Sequence, residues 1–337
     1  MTTAEAASRS SSAAAAPTPW LVGPVVDALF VANVLWPLVL LVPQGPRFDG
    51  HDAVHFWQLY FITTPHRWIT LLFVVLDGER LRDRRSLLLS VGLSLLAACG
   101  AVRWTTGDIT CLLAMDYVWN AWHFAAQHHG VYRIYRRRQA APPSRIDAFE
   151  KWTMRGFLLY VIVRVAGGTW SQSSLDASLQ TIDWAVSAVP LGLLFRELVT
   201  GRTFRSGALL YLVSVSTLYL GLLAAVHLRQ PRLVLTLATA SALFHAIEYL
   251  TLVGWTAHRH HGSAGGDRGL LHRLAPRWGA AIALFALIQG AAGWMLERNM
   301  LEVWLFANVV VAFVHYAFDG IIWRSPGARH RSVPITA

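Results

Sequence analysis

Residues 109–138 read ITCLLAMDYVWNAWHFAAQHHGVYRIYRRR, a run long enough to cross a bilayer that nevertheless carries Asp116, Asn120, His123 and Gln127. Their spacings of four, three and four put these side chains along one face of a helix with about 3.6 residues per turn. A polar stripe on a spanning helix has to face protein, a cavity or a bound ion, because ionisable and amide groups left in hydrocarbon are costly. The reading of the chain therefore turns on what His123 faces.

Working outward, the 337 residues are 55% hydrophobic and only 14% charged, with a mean hydropathy of +0.42. This is the composition of a polytopic membrane protein. No polar block exceeds a loop, so an all-α polytopic transmembrane helix bundle of about ten helices is expected. The spans are expected near 20–43, 54–76, 87–103, 109–133, 155–170, 180–198, 207–227, 233–257, 278–296 and 302–323, each judged against the roughly 20 apolar residues that a crossing needs. Residues 1–19, rich in serine and alanine, read as a disordered N-terminal tail, 20–324 as a single transmembrane helical domain and 325–337 as a cytoplasmic C-terminal tail. The first apolar run is too long for a signal-peptide core and no small-residue cleavage site closes it, so a cleavable leader is not expected. Two cysteines, Cys99 and Cys111, exclude a disulfide framework.

The net charge of +10 is mostly arginine. The arginines recur in short blocks between apolar runs instead of sharing a face with aromatics, which excludes a nucleic-acid partner and points to membrane topology. They cluster after the even-numbered spans, as in GERLRDRR at 78–85, RIYRRR at 133–138 and RSPGARHR at 324–331. The positive-inside rule then places these ends and both termini in the cytoplasm, in an inner-membrane protein. HLRQPR at 227–232 alone runs against the rule, and Trp57, Trp104, Trp170, Trp255 and Trp323 lie near span ends as an interfacial belt would.

Four histidines lie inside even-numbered spans: His66, His123, His245 and His315. Counted from the cytoplasmic ends at about 1.5 Å per residue, they share a depth of roughly 13–20 Å. Histidines on membrane helices also serve as interhelical hydrogen-bonding groups, but a common depth on four helices suits one metal site. Each has polar company on its own face: Thr70 and Asp77 with His66, Ser241 and Glu248 with His245, Asn308 and Asp319 with His315. A metal-bound imidazole needs such neighbours, since its second nitrogen is usually held by a carboxylate, amide or carbonyl. Glu248 and Asp319 are also candidate ligands, with Glu248 the substitute if His315 does not serve. His128 is a candidate for a second metal or an interfacial role, and Asp27 and Asn33 are candidates to line the same cavity. Haem would use only two axial imidazoles and leave the other two and the carboxylates idle.

Imidazole with carboxylate and no thiolate suits iron, zinc, copper or manganese. Tyr117, Trp119, Trp122, Phe124, Tyr249, Phe313, Tyr316 and Phe318 surround the expected ligands and favour a long apolar substrate reached from the bilayer. Unactivated carbon offers no handle for acid–base work, so Fe(II) with dioxygen as co-substrate is the natural pairing.

PHRW at 65–68, WHFAAQ at 122–127, LFHAIEY at 243–249 and VHYAFDGIIWR at 314–324 together resemble, in order, the motifs of the Brp/Blh beta-carotene dioxygenases. The resemblance implies that His66, His123 and His245 bind one nonhaem iron that serves carotenoid cleavage with dioxygen, His123 at the catalytic centre. Tyr249 stands where the family motif has a further histidine, with Glu248 beside it, and both thereby become catalytic candidates. Two other readings stay open. A di-iron desaturase or hydroxylase is suggested by HDAVH at 51–55, QHH at 127–129 and HRHH at 258–261, and a transporter or proton relay could use the same buried histidines and carboxylates.

Overall fold

The computed structural model describes residues 19–42, 53–76, 78–138, 145–168, 175–200, 206–261 and 275–323, and these contain helices and turns without a strand. The tails at 1–18 and 324–337, His51 and Asp77 lie outside the described residues. Nine long helices follow one another among the described residues: α1 (Thr64–Leu76), α2 (Gly78–Thr106), α3 (Thr110–Arg138), α4 (Arg145–Gly168), α5 (Leu175–Thr200), α6 (Ser206–His227), α7 (Pro231–His261), α8 (Trp278–Asn299) and α9 (Leu301–Ile322).

Six segments are long and apolar enough to cross a membrane: His55–Leu76, Arg84–Thr106, Gly207–His227, Pro231–His258, Trp278–Asn299 and Leu301–Ile322. Helices α3, α4 and α5 have 29, 24 and 26 residues and therefore the length, but they carry more polar and charged side chains. The chain is a helical membrane protein. Its outer helices show this in their packing, since only 11% of the apolar windows of α2 and α8 is buried. Leu87, Leu93, Leu284, Leu287 and Ile288 point outward there. Such a surface would be a liability in water and is ordinary against lipid chains.

The stretch expected to form the first span is not a regular helix. Residues 24–26 make one α-turn, Asp27–Val31 a π-turn and Trp36–Leu41 a 3-10 turn. Asp27 causes the first break, because its carboxylate accepts the amides of Leu21 at 2.5 Å and Val22 at 2.9 Å and folds the chain back on itself. Asn33 causes the second: its φ of 45° lies in the left-handed region that asparagine tolerates better than most residues. Its amide donates to the Phe30 carbonyl at 3.1 Å and the Phe244 carbonyl at 3.3 Å. Helices α6 and α7 pack against this irregular backbone. Asp27 and Asn33, candidates for the cavity wall, are thus anchors for this broken segment.

A second irregularity shapes the site. Pro65 lacks the N–H that the Phe61 carbonyl would receive in a regular helix, and its ring crowds that carbonyl. The chain widens to a π-turn over Gln58–Thr63 immediately before it. Helix α8 closes over this region by virtue of two glycines. A Cβ on Gly290 would sit 2.5 Å from the Phe61 ring, and one on Gly293 2.5 Å from the Trp304 ring. Gly293→Ala is therefore expected to cost about 1–3 kcal/mol through overpacking, read as thermal unfolding in detergent. Gly100→Ala, with nothing within 4 Å of the added carbon, should leave the transition in place.

Helix α9 packs against α1, α2, α3 and α8, and α7 against α1, so the four histidine-bearing helices meet in one half of the bundle. The other half is built on α6, whose Tyr211, Leu212, Val215, Leu218 and Tyr219 are buried in a large apolar core shared with α3, α4 and α7.

Candidate metal centre

His66, His123, His245 and His315 are 1%, 7%, 0% and 0% exposed. Their rings form a closed set, with centroids 5.1 Å apart for His66–His245, 5.2 Å for His66–His315, 5.0 Å for His123–His245 and 4.8 Å for His123–His315. Two overlapping groups hold donor atoms within 4.8 Å of one another: His66, His245 and His315, and His123, His315 and Asp319. His315 belongs to both.

The orientation of each ring has a local cause. His66 Nδ1 donates to the Thr63 carbonyl in the turn widened by Pro65, which leaves Nε2 as the bare nitrogen. His315 is set by a chain of hydroxyls. Tyr249 donates to Asp319 Oδ1 at 2.8 Å, so the Thr70 hydroxyl donates to Tyr249 at 2.6 Å and accepts from His315 Nδ1 at 2.6 Å. His315 Nε2 is then bare as well. His245 is held by its flat face, stacked on Phe124 with centroids 3.8 Å apart and planes at 19°.

Three of the ring nitrogens lack partners among the described residues, while His315 Nε2 faces His123 Nε2. His66 Nε2 and both nitrogens of His245 are buried without a hydrogen bond, a state that costs about 1–3 kcal/mol for each unpaired group unless something fills it. One pair of donors, His123 and His315, has the spacing that a metal ion requires. Two nitrogens each about 2.1 Å from one ion stand roughly 3.0–3.4 Å apart, and His123 Nε2 and His315 Nε2 are separated by 3.2 Å. Asp319 Oδ2 lies 3.8 Å from His123 Nε2 and 3.9 Å from His315 Nε2, at the edge of the set.

The remaining candidates fall elsewhere. Glu248, expected as a substitute ligand, belongs to neither donor group. Fully buried, its carboxylate accepts from Gln127 Nε2 at 2.8 Å and from Tyr211 at 2.7 Å. The reason is the helical register of α7: Glu248 follows His245 by three residues and faces α3 and α6, not α1 and α9. His128 joins it, with Nδ1 2.8 Å from the Tyr211 hydroxyl, 3.4 Å from Glu248 Oε2 and its ring 6.3 Å from His245. Tyr249 sits between Thr70 and Asp319 and orients the set.

Several polar neighbours serve different partners from those their spacing suggests. Thr70 bonds His315 instead of His66, Ser241 bonds Tyr219 at 3.0 Å instead of His245, and Asn308 accepts from Trp68 at 3.1 Å. Asp116 and Asn120 receive the Tyr316 hydroxyl at 2.9 and 3.0 Å, and Tyr316 in turn packs on the His123 ring with centroids 4.8 Å apart. Tyr211 and the Thr63 carbonyl have no signal in the sequence, since a tyrosine on an apolar helix and a main-chain carbonyl look like any other. Of the desaturase-like boxes, His129 is buried and belongs to neither donor group, and His258 is exposed.

A cavity of about 880 Å³ reaches this set, walled by Trp119, Trp122 and Tyr316 and ending on His123, Tyr249 and Asp319. No family model, curated protein or solved structure matches the chain.

Proposed function

We propose that this chain is a metal-dependent membrane oxidoreductase of the nonhaem-iron type, a distant relative of the Brp/Blh dioxygenases, acting with dioxygen on an apolar isoprenoid or lipid. The observation that carries the reading is the meeting of four buried imidazoles, two of which, His66 and His245, have nitrogens without a partner among the described residues. His66, His123, His245 and His315 would hold the ion, with Asp319 beside them. Iron(II) held by imidazoles with positions left open supplies activation of dioxygen.

The protein's own contribution is positioning. Thr63, Thr70, Tyr249 and Asp319 fix the ring tautomers, and Phe124 holds the His245 plane. A substrate that partitions into hydrocarbon reaches this depth without the barrier that a hydrophilic one meets. In our reading the broken segment 20–42 and α1 to α9 make ten traverses, with the arginine-rich ends and both termini in the cytoplasm of an inner-membrane protein.

The test is oxygen consumption by iron-loaded protein offered beta-carotene, then fatty acids and sterols. Substrate-dependent uptake is expected, with a loss of at least about 100-fold in His123→Ala, a larger effect than the 10–100-fold typical of groups that merely support a ligand. Absence of iron from the wild-type protein, or turnover unchanged by that substitution, removes the reading.

Two observations favour a second reading. The broken segment at 20–42 and the fully buried Glu248, bonded to Tyr211 and Gln127, are features of transporters and proton relays. Purified protein that carries no metal but moves protons in liposomes would establish it instead.

A further inference from the structure

The cavity that ends on His123 and Asp319 is also lined by Arg133 and Arg137 of α3, both exposed, and by the half-buried Lys151 and Arg155 of α4, which mark its outer end. Other arginines of this region are neutralised: Arg136 pairs with Glu197 at 2.8 Å, and Arg196 pairs with Glu150. The four at the mouth have no carboxylate within ion-pair distance among the described residues. Aromatic faces hold two of them instead, with the Arg155 guanidinium 5.3 Å from the Trp122 ring centroid and the Lys151 ammonium 5.0 Å from that of Trp152. Arg155 Nε is buried and has no hydrogen-bond partner among the described residues.

These charges converge. Arg155, Arg133 and Lys151 all act electrostatically on His129, which also lines the cavity, and Asp147 offsets only part of their field there. Orientation in the membrane asks for cations at this end of α3. It does not ask that four of them stay unpaired around the entrance of one chamber, where low-dielectric walls focus their potential on whatever enters. From Arg133 to His123 the helix rises about 15 Å, and the wall over that distance changes from cationic to aromatic.

We propose that the mouth binds the anionic head, a carboxylate or phosphate, of an amphiphile whose apolar tail runs inward to His123. The inference rests on reading the cavity as the substrate chamber and narrows the isoprenoid or lipid to one with an acidic end. Arg133 and Arg155 supply charge-assisted hydrogen bonds to the head, and the side chains of Trp119, Trp122 and Tyr316 receive the tail.

The full chain in zwitterionic phosphatidylcholine nanodiscs, loaded with fluorescent parinaric acid, tests this by displacement. Oleate and oleyl phosphate are expected to compete at least about tenfold better than oleyl alcohol, as loss of charge-assisted contacts predicts for the neutral head. The double variant Arg133→Gln/Arg155→Gln should discriminate less than about threefold, while Arg232→Gln, an exposed cation at the start of α7, keeps the preference. Phosphatidylglycerol mixed into the discs separates the sources: displacement by it identifies a membrane lipid head, and displacement by oleate alone identifies a free acid. Equal competition by oleyl alcohol, or a preference that survives the double variant, overturns the proposal. Iron measured on the same preparations keeps the two readings apart. Metal-free protein that still prefers oleate sinks only the oxygenase reading, and iron-bearing protein without the preference sinks only this one.

Discussion

Replacing His245 by alanine is expected to leave the purified protein with less than about a tenth of the wild-type iron, because loss of a ligand should exceed the 10–100-fold cost of losing a supporting group. His245 lies opposite His315 in the ring set, shares a donor group with His66 and His315, and has no hydrogen bond through either nitrogen among the described residues. The substitution leaves Phe124 without its stacked partner, so some loss of stability accompanies it. Thr70→Val separates the two effects. It keeps the shape of the side chain and removes the hydroxyl that takes the His315 Nδ1 proton, so iron affinity should fall by about 10–100-fold with the fold intact. Iron-to-protein ratios across a chelator series measure both. Full iron occupancy in His245→Ala would exclude the centre as drawn.

The largest effect on stability is expected in the other half of the molecule. Arg164 of α4 and Asp183 of α5 are both 3% exposed at their side chains, with Arg164 Nε 3.2 Å from Asp183 Oδ1. Tyr160 donates to the same carboxylate at 2.6 Å, and His227 Nδ1 lies 3.1 Å from its other oxygen. Removing one partner of a buried pair leaves an uncompensated charge, at a cost of about 3–5 kcal/mol, whereas replacing both by apolar groups is often neutral. Arg164→Leu should therefore unfold far more readily than wild type in a denaturant series, and Arg164→Leu/Asp183→Leu should recover most of the loss. A single variant as stable as the parent, or a double variant worse than the single, would contradict this account.

What the sequence determined by itself was local in origin. Apolar runs of spanning length and the stripe of Asp116, Asn120, His123 and Gln127 depend only on helical period and on the cost of polar groups in hydrocarbon. The helical class and the shared depth of His66, His123, His245 and His315 were legible for that reason, and so was the meeting of their rings. Composition misread residues 20–42, because an apolar run says nothing of the Asp27 carboxylate that caps its own preceding amides or of the left-handed turn at Asn33. Only the tertiary structure decided who pairs with whom. Spacing along one helix names the face a side chain occupies, but the partner stands on another helix whose rotation the sequence does not state. That is why Thr70 serves His315 from across the bundle, Glu248 turns from His66 and His315 toward Tyr211, and four cations written in two separate helices open onto one cavity. Packing sets helix rotation to within a fraction of a turn, and that fraction separates a ligand from a buried hydrogen-bonding group.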